Sequence, residues 1–136
     1  LSYRLDLIEK YLEQINKYEN QRIENIKNRL EGYLNEWLGK ENVDLSRFEQ
    51  ELIYYLEKLD ITEEKIRLKN HCRYFRNVMN ENEDEPVGKK LGFISQEMGR
   101  EINTLGSKAS DFDIQKLIVM MKDELEKIKE QLNNIL

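Results

Sequence analysis

One proline (Pro86), one cysteine (Cys72), one tryptophan (Trp37) and one histidine (His71) are all that 136 residues hold of those types. Each scarcity excludes something. A single cysteine rules out an internal disulfide and fits a reducing compartment. No cysteine pair is available for zinc, no Walker-type phosphate loop is present, and no serine–histidine–acid signature occurs. No apolar run approaches the about 18 residues that a bilayer span needs, and no signal peptide is visible. A membrane is therefore not an expected partner.

What the chain has in abundance is charge. Charged residues make up 36%, with 22 Lys and Arg against 27 Asp and Glu, a net charge of -5. The surface as a whole does not attract nucleic acid, so a polyanion would need a local basic patch. The length suits one domain, and the dominance of Glu, Lys, Leu and Ile favours long helices over sheets.

Apolar periodicity carries this further. Leu5, Ile8, Leu12, Ile15, Ile23, Ile26, Leu30, Leu34 and Trp37 keep one face, predicting a helix over 2–38 whose stripe weakens at Tyr18, Glu19 and Arg22. Gly39 and the polar stretch to Asp44 end it, with Tyr33 and Trp37 packing its end. Ser46 and Glu49 have capping-box spacing, so a second helix runs to about Leu59 with Phe48, Leu52, Tyr55, Leu56 and Leu59 on its apolar side. Asp60 then caps a third helix, with Glu63 reaching back, and Leu68, Cys72, Phe75 and Met79 form its buried stripe. On that stripe Cys72 reads as a buried hydrophobe rather than a nucleophile.

Residues 80–87, "NENEDEPV", carry four acids and the proline and read as a loop. A fourth helix begins near Gly88 or Lys89 and ends at about Thr104, where Gly106 is expected to take the left-handed terminating conformation. Gly92 and Gly99 within it are expected to admit another backbone closely. Ser110 or Asp111 caps the last helix, whose apolar face is Ile114, Leu117, Ile118, Met121, Leu125, Ile128 and Leu132. The expected fold is all-α: an elongated bundle of about five helices, the first and last long and coiled-coil-like. The start at Leu1, inside a helical pattern, reads as a fragment of a longer protein.

Two clusters could carry chemistry. In "QEMGREINTLGSK" (96–108), Met98, Ile102 and Leu105 belong to the packing stripe with Leu91 and Ile94. Glu97, Glu101, Thr104 and Lys108 form a second stripe if the helix persists to 108, with Gln96, Arg100 and Asn103 alongside. Carboxylates one turn apart repel by a few tenths of a kcal/mol, so a cation between them, either Arg100 or a divalent metal, makes sense of the pair. Oxygen donors of this kind suit Mg²⁺ or Mn²⁺; a salt-bridge network at a capped helix end is the competing reading. "KIRLKNHCRYFR" (65–76) has five Lys and Arg and no acid. There Glu64, Arg67 and His71 share a face, and histidine is the residue type suited to proton transfer near neutral pH. Its basic residues could hold phosphates, with Tyr74 available for stacking, or simply form a solvated face.

The succession "DITEEKIRLKNHCRYF", "GKKLGFISQEMGREINTLGSKASD" and "KDELEKIKEQLNNI" resembles the C-terminal region of the YicC-like (YicC/YloC) endoribonuclease family, with the detailed motifs between 60 and 134. The resemblance implies a cytoplasmic, divalent-metal-dependent enzyme cleaving single-stranded RNA, hexameric, with a further N-terminal domain. It divides the chain into a helical arm and connecting helix (1–58) and a C-terminal helical domain (59–136). Matched motif by motif, it offers Glu63, Glu64, Arg67, His71, Lys89, Gln96, Glu97, Arg100, Glu101, Asn103, Thr104, Ser107 and Lys108 as site residues. Chemistry assigns the roles. Glu97 and Glu101 are expected to hold Mg²⁺ or Mn²⁺ and to act in catalysis with His71 and Arg100. Phosphate is expected at Arg67, Arg73, Lys89, Asn103 and Lys108, with Glu63, Glu64, Gln96, Thr104 and Ser107 in support; Glu64 could orient His71. Gly92 and Gly99 depart from the Asp and Asn usual there, and "KEQLNNI" departs from a more typical "REQVQNI". The alternative is a non-catalytic oligomerisation and RNA-binding module that needs the N-terminal domain for activity.

Overall fold

A computed structural model of the chain describes residues 1–37, 45–81, 87–109 and 111–135. The expected turn at 39–44, most of the acidic loop, Ser110 and the side chains of Leu34, Trp37 and Phe48 lie outside the described residues. Five helices follow one another: α1 (Ser2–Trp37), α2 (Leu45–Lys58), α3 (Thr62–Met79), α4 (Val87–Lys108) and α5 (Phe112–Ile135). Among the described residues there is no strand, and no helix is long and apolar enough to cross a membrane.

Packing joins α3 to α4, α4 to α5, α5 to α1 and α1 to α3, a four-helix ring. Its directions follow from named contacts. Lys65 bonds Glu19 while Arg76 bonds Glu9, so α3 runs against α1. Lys108 meets Glu64 while Glu101 meets Arg67, so α4 runs against α3. Gly106 faces Ile118 and Gly99 faces Leu125, so α5 runs against α4. The ring is thus up-down-up-down, closed where Arg4 of α1 reaches Glu124 of α5 at 2.9 Å.

The expected stripes of α4 and α5 are buried at every position named, and with Leu5, Ile8, Leu12 and Ile15 of α1 they form one core. Each fully buried aliphatic side chain contributes about 1.5–3 kcal/mol relative to exposure. In α3 the buried apolar residues are Leu68, Cys72, Phe75 and Val78, with Met79 packed against them at the edge. Burial pushes the Cys72 thiol up to about 12, the setting of an inert side chain.

The weak place in the α1 stripe is not a gap. Glu19 and Arg22 are buried within it: Glu19 takes Lys65, and Arg22 donates Nη2 to the Leu59 carbonyl at 2.9 Å. Beyond Arg22 the helix leaves the core. Ile23, Ile26 and Leu30 are only half-buried and share shallow clefts with Leu52, Leu56 and Leu59, so the end of α1 and α2 form a loosely packed arm. Tyr33, expected to pack a helix end, is exposed there, as are Ile53, Tyr54 and Tyr55.

At two helix starts an aspartate accepts backbone amides, although at α3 the capping position itself is held by Ile61 and Asp60 stands one residue before it. Asp111 Oδ1 accepts the Asp113 and Ile114 amides at 2.9 and 3.2 Å. Asp60 Oδ1 accepts the Thr62 hydroxyl and amide, and those bonds hold its carboxyl below the usual carboxylate range. Its contribution is therefore present above the ordinary carboxylate pKa and is lost as pH falls through the depressed value. Glu63 does not reach back; it pairs with Arg67 at 2.5 Å.

Gly106 does not end α4, which continues to Lys108. A Cβ at Gly106 would lie 3.2 Å from Ile118 Cγ2, so glycine serves close packing on α5 rather than a left-handed turn. Gly99 meets side chains of α5, not backbone, and a Cβ at Gly92 would meet nothing within 4 Å. Opposite outcomes are expected in urea unfolding. Gly106→Leu destabilises by about 1–3 kcal/mol through overpacking, whereas Gly92→Ala stabilises by up to about 1 kcal/mol through helix propensity. The Cys72 thiol is expected to resist a soluble disulfide reagent in the native state and to react on denaturation; rapid native reaction would contradict its burial.

Candidate functional site

α3 and α4 lie antiparallel, and their shared edge gathers most of the polar residues of the two clusters. At one end Lys108 Nζ is 2.6 Å from Glu64 Oε1 and 3.4 Å from the Asp60 carbonyl. Glu64 is buried and its Oε2 has no hydrogen-bond partner. The pair fastens the end of α4 to the start of α3. Lys108 is thus compensated within the chain, and Glu64 is turned to Lys108 rather than set to orient His71.

One turn along, Arg67 bridges Glu63 at 2.5 Å and Glu101 at 4.0 Å. Glu101 is only 7% exposed, a carboxylate held at the helix–helix seam beside a guanidinium. The register that pairs 67 with 101 brings 71 opposite 97, so half-buried His71 and Glu97 occupy the next turn of the same groove. The Glu97 side chain is 31% exposed and meets Arg100, itself 76% exposed, at 3.8 Å. Arg100 is therefore the more exposed cation of the set and Arg67 the more closely paired one.

The remaining expected residues divide. Thr104 and Ser107 turn their hydroxyls back onto the Arg100 and Thr104 carbonyls at 3.0 Å, completing helical turns. Gln96, Asn103, Lys89 and Arg73 are exposed. Lys89 and Gln96 do not face the α3 groove; they line a cleft of about 410 Å³ on the α5 side of α4. Phe93, Lys129 and Asn133 line it too, and sequence reasoning missed all three. The spacing of 89, 92, 93 and 96 marks one helix face, a signal available in advance, but the α5 residues acquire meaning only when the helices meet.

The donor set can be tested against a divalent ion. Among the described residues no three His, Cys, Asp or Glu side chains converge as a metal cage. Glu97 and Glu101, one turn apart, supply two hard oxygen donors, and Mg²⁺ typically takes one or two carboxylates while keeping several waters. The pair has the donor chemistry of such a hydrated ion, and each carboxylate already has an arginine within 4.0 Å.

Comparison with known proteins gives the family of the chain. The family described as "Endoribonuclease YicC-like, C-terminal" matches residues 15–136. A protein of Clostridioides difficile (strain 630) named probable endoribonuclease YicC is 40% identical over 99% of this chain and 46% of its own length. Its namesake in Haemophilus influenzae is 38% identical over 69% of this chain and 32% of its own length. The chain therefore spans less than half the length of these relatives.

Removing a partner of the buried pair should separate scaffold from site. Lys108→Ala is expected to lose about 1–3 kcal/mol, because it leaves the buried Glu64 carboxylate unsatisfied, while the more exposed Glu97→Ala changes stability by less than about 0.5 kcal/mol. Thermal unfolding of both variants checks this; equal losses would mean that Glu97 is a scaffold residue too.

Proposed function

Because this chain belongs to the YicC-like endoribonuclease family through its C-terminal domain, we propose that it carries the catalytic groove of a divalent-metal-dependent endoribonuclease acting on single-stranded RNA. The observation that supports this most is the α3–α4 groove itself. Two carboxylates one turn apart, two arginines of different exposure and the chain's one histidine fall on adjoining turns. Purely structural ion pairs do not need a half-buried histidine and an exposed arginine at the same place.

Glu97 and Glu101 would hold Mg²⁺ or Mn²⁺, which would supply polarisation of a phosphoryl oxygen and a water of lowered pKa. Arg100, exposed beside Glu97, meets a phosphate oxygen in a charge-assisted hydrogen bond, and Arg67 orients Glu101. His71 moves the proton, taking it from the attacking oxygen or giving it to the departing one. Unpaired bases leave a strand supple enough to lie along a groove between two helices, which favours single-stranded over duplex RNA.

A second reading rests on different observations: the carboxylate set is small, and the arm exposes Tyr33, Ile53, Tyr54 and Tyr55. On that reading the helices are an assembly and RNA-binding module, hexameric as the family resemblance implies, and cleavage needs the N-terminal domain.

Incubating labelled single-stranded RNA with the chain, in Mn²⁺ and in chelator, distinguishes the two. Metal-dependent cutting is expected, abolished in Glu97→Ala and Glu101→Ala and slowed about 100-fold or more in His71→Ala, with helicity retained. Cutting that survives in both glutamate variants would remove this assignment; salt-sensitive binding without cutting would favour the module.

A further inference from the structure

The cleft on the α5 side of α4 lies outside the groove assigned to cleavage, yet its composition is not that of an ordinary surface hollow. Two cationic side chains, Lys89 and Lys129, stand at it with two amides, Gln96 and Asn133. Phe93 beside them is 67% exposed, although the core is a turn away. An exposed ring with two lysines lining the same cleft offers a flat apolar face beside positive charge, the combination that a base and its phosphates take. The volume, about 410 Å³, lies within the about 300–1,000 Å³ usual for small-ligand sites. Gly92, with open space where a Cβ would stand, leaves that side of the cleft clear.

We infer that this cleft is a subsite for one nucleotide of single-stranded RNA, its base stacked on Phe93 and its flanking phosphates held by Lys89 and Lys129. The inference rests on the RNA-cleaving reading for its choice of polymer, and it adds a substrate contact that the cleavage groove does not supply. Gln96 and Asn133 each carry a donor and an acceptor, so they can meet the edge of any base and the site selects base against no base rather than a sequence. Lys129 is paired with Glu126 at 3.5 Å, but an exposed pair of this kind contributes little and yields readily to phosphate.

Placement connects the subsite to chemistry. Gln96 and Glu97 are adjacent residues on α4, about 100° apart around the helix, so the cleft and the carboxylate groove flank one crest. With an outer helix radius of about 5–6 Å, that arc is about 10 Å. Phe93 and Arg100 stand on the crest between them, Phe93 one turn from Glu97. A strand anchored by its base in the cleft thus crosses α4 and brings a neighbouring phosphate to Arg100 and Glu97.

Fluorescence anisotropy of a labelled single-stranded oligoribonucleotide, in chelator so that nothing is cut, tests the subsite apart from catalysis. Phe93→Ala is expected to weaken binding about tenfold or more without changing its salt dependence, and Phe93→Trp to restore it. Lys129→Gln is expected to reduce the slope of log affinity against log salt by about 0.7. Phe93 is exposed, so helicity and unfolding temperature should be unchanged. Phe112→Ala, which removes an exposed ring outside both sites, should bind as tightly as the parent chain, and because binding is read without cleavage, failure of the subsite is separated from failure of the catalytic assignment. Undiminished binding by Phe93→Ala and Lys129→Gln would overturn the subsite. So would an absence of RNA binding at low salt, or an altered assembly state in place of altered RNA affinity.

Discussion

The seating of α4 between α3 and α5 is the constraint on which the rest depends. Met98, Ile102 and Leu105 point into the core and are fully buried. The helix can turn little about its own axis without drawing these side chains into water, at about 25 cal/mol for each Å² of apolar surface exposed. Because the core fixes its rotation, the polar residues have no choice of direction: 97 and 101 face α3, while 92 and 96 face away toward α5. Gly99 and Gly106 let α5 approach on the second flank, where a larger residue would meet Leu125 or Ile118. The two polar sites are therefore consequences of one apolar stripe.

Charge then sets register along the seams. Lys65 with Glu19, Arg76 with Asp6 and Glu9, Arg4 with Glu124 and Lys108 with Glu64 each join different helices. Bonds from Asp6 and Glu9 outweigh the burial that works against the Arg76 charge, and hold its proton more firmly than usual. Such pairs add modest net stability, since desolvation offsets much of the attraction, but a slip by one turn would leave several half-buried charges unmatched. In a chain with 36% charged residues, unmatched charge is the most available way to disfavour wrong packings.

Much of the fold was legible because periodicity reports directly on burial. The stripes of α4 and α5 were read position by position, and the Asp60 and Asp111 bonds to helix-start amides followed from side-chain chemistry. Where the reading failed, the deciding fact was tertiary. Gly106 looks like a terminator in isolation, and only Ile118 opposite it explains a glycine inside a helix. Glu19 and Arg22 look like a break in a stripe until Lys65 and the Leu59 carbonyl supply their partners. The polar clusters were legible as sets of residues, but not which members the scaffold itself uses. Sequence could not say that Lys108 is spent on Glu64, that Thr104 and Ser107 bond their own helix, or that Lys89 and Gln96 stand across the crest from Glu101.

The length of α1 gives the molecule a mechanical property. Its first part is clamped in the core from Leu5 to Ile15, and Arg22 rests on the Leu59 carbonyl at the rim. Beyond that fulcrum about 15 residues continue as the same helix, about 22 Å of stiff rod. A tilt of about 10° at Arg22 displaces the tip by about 4 Å, with the geometry of a lever. Force applied at the exposed tyrosines thus arrives as torque on the helix that holds α3 and α5 in place.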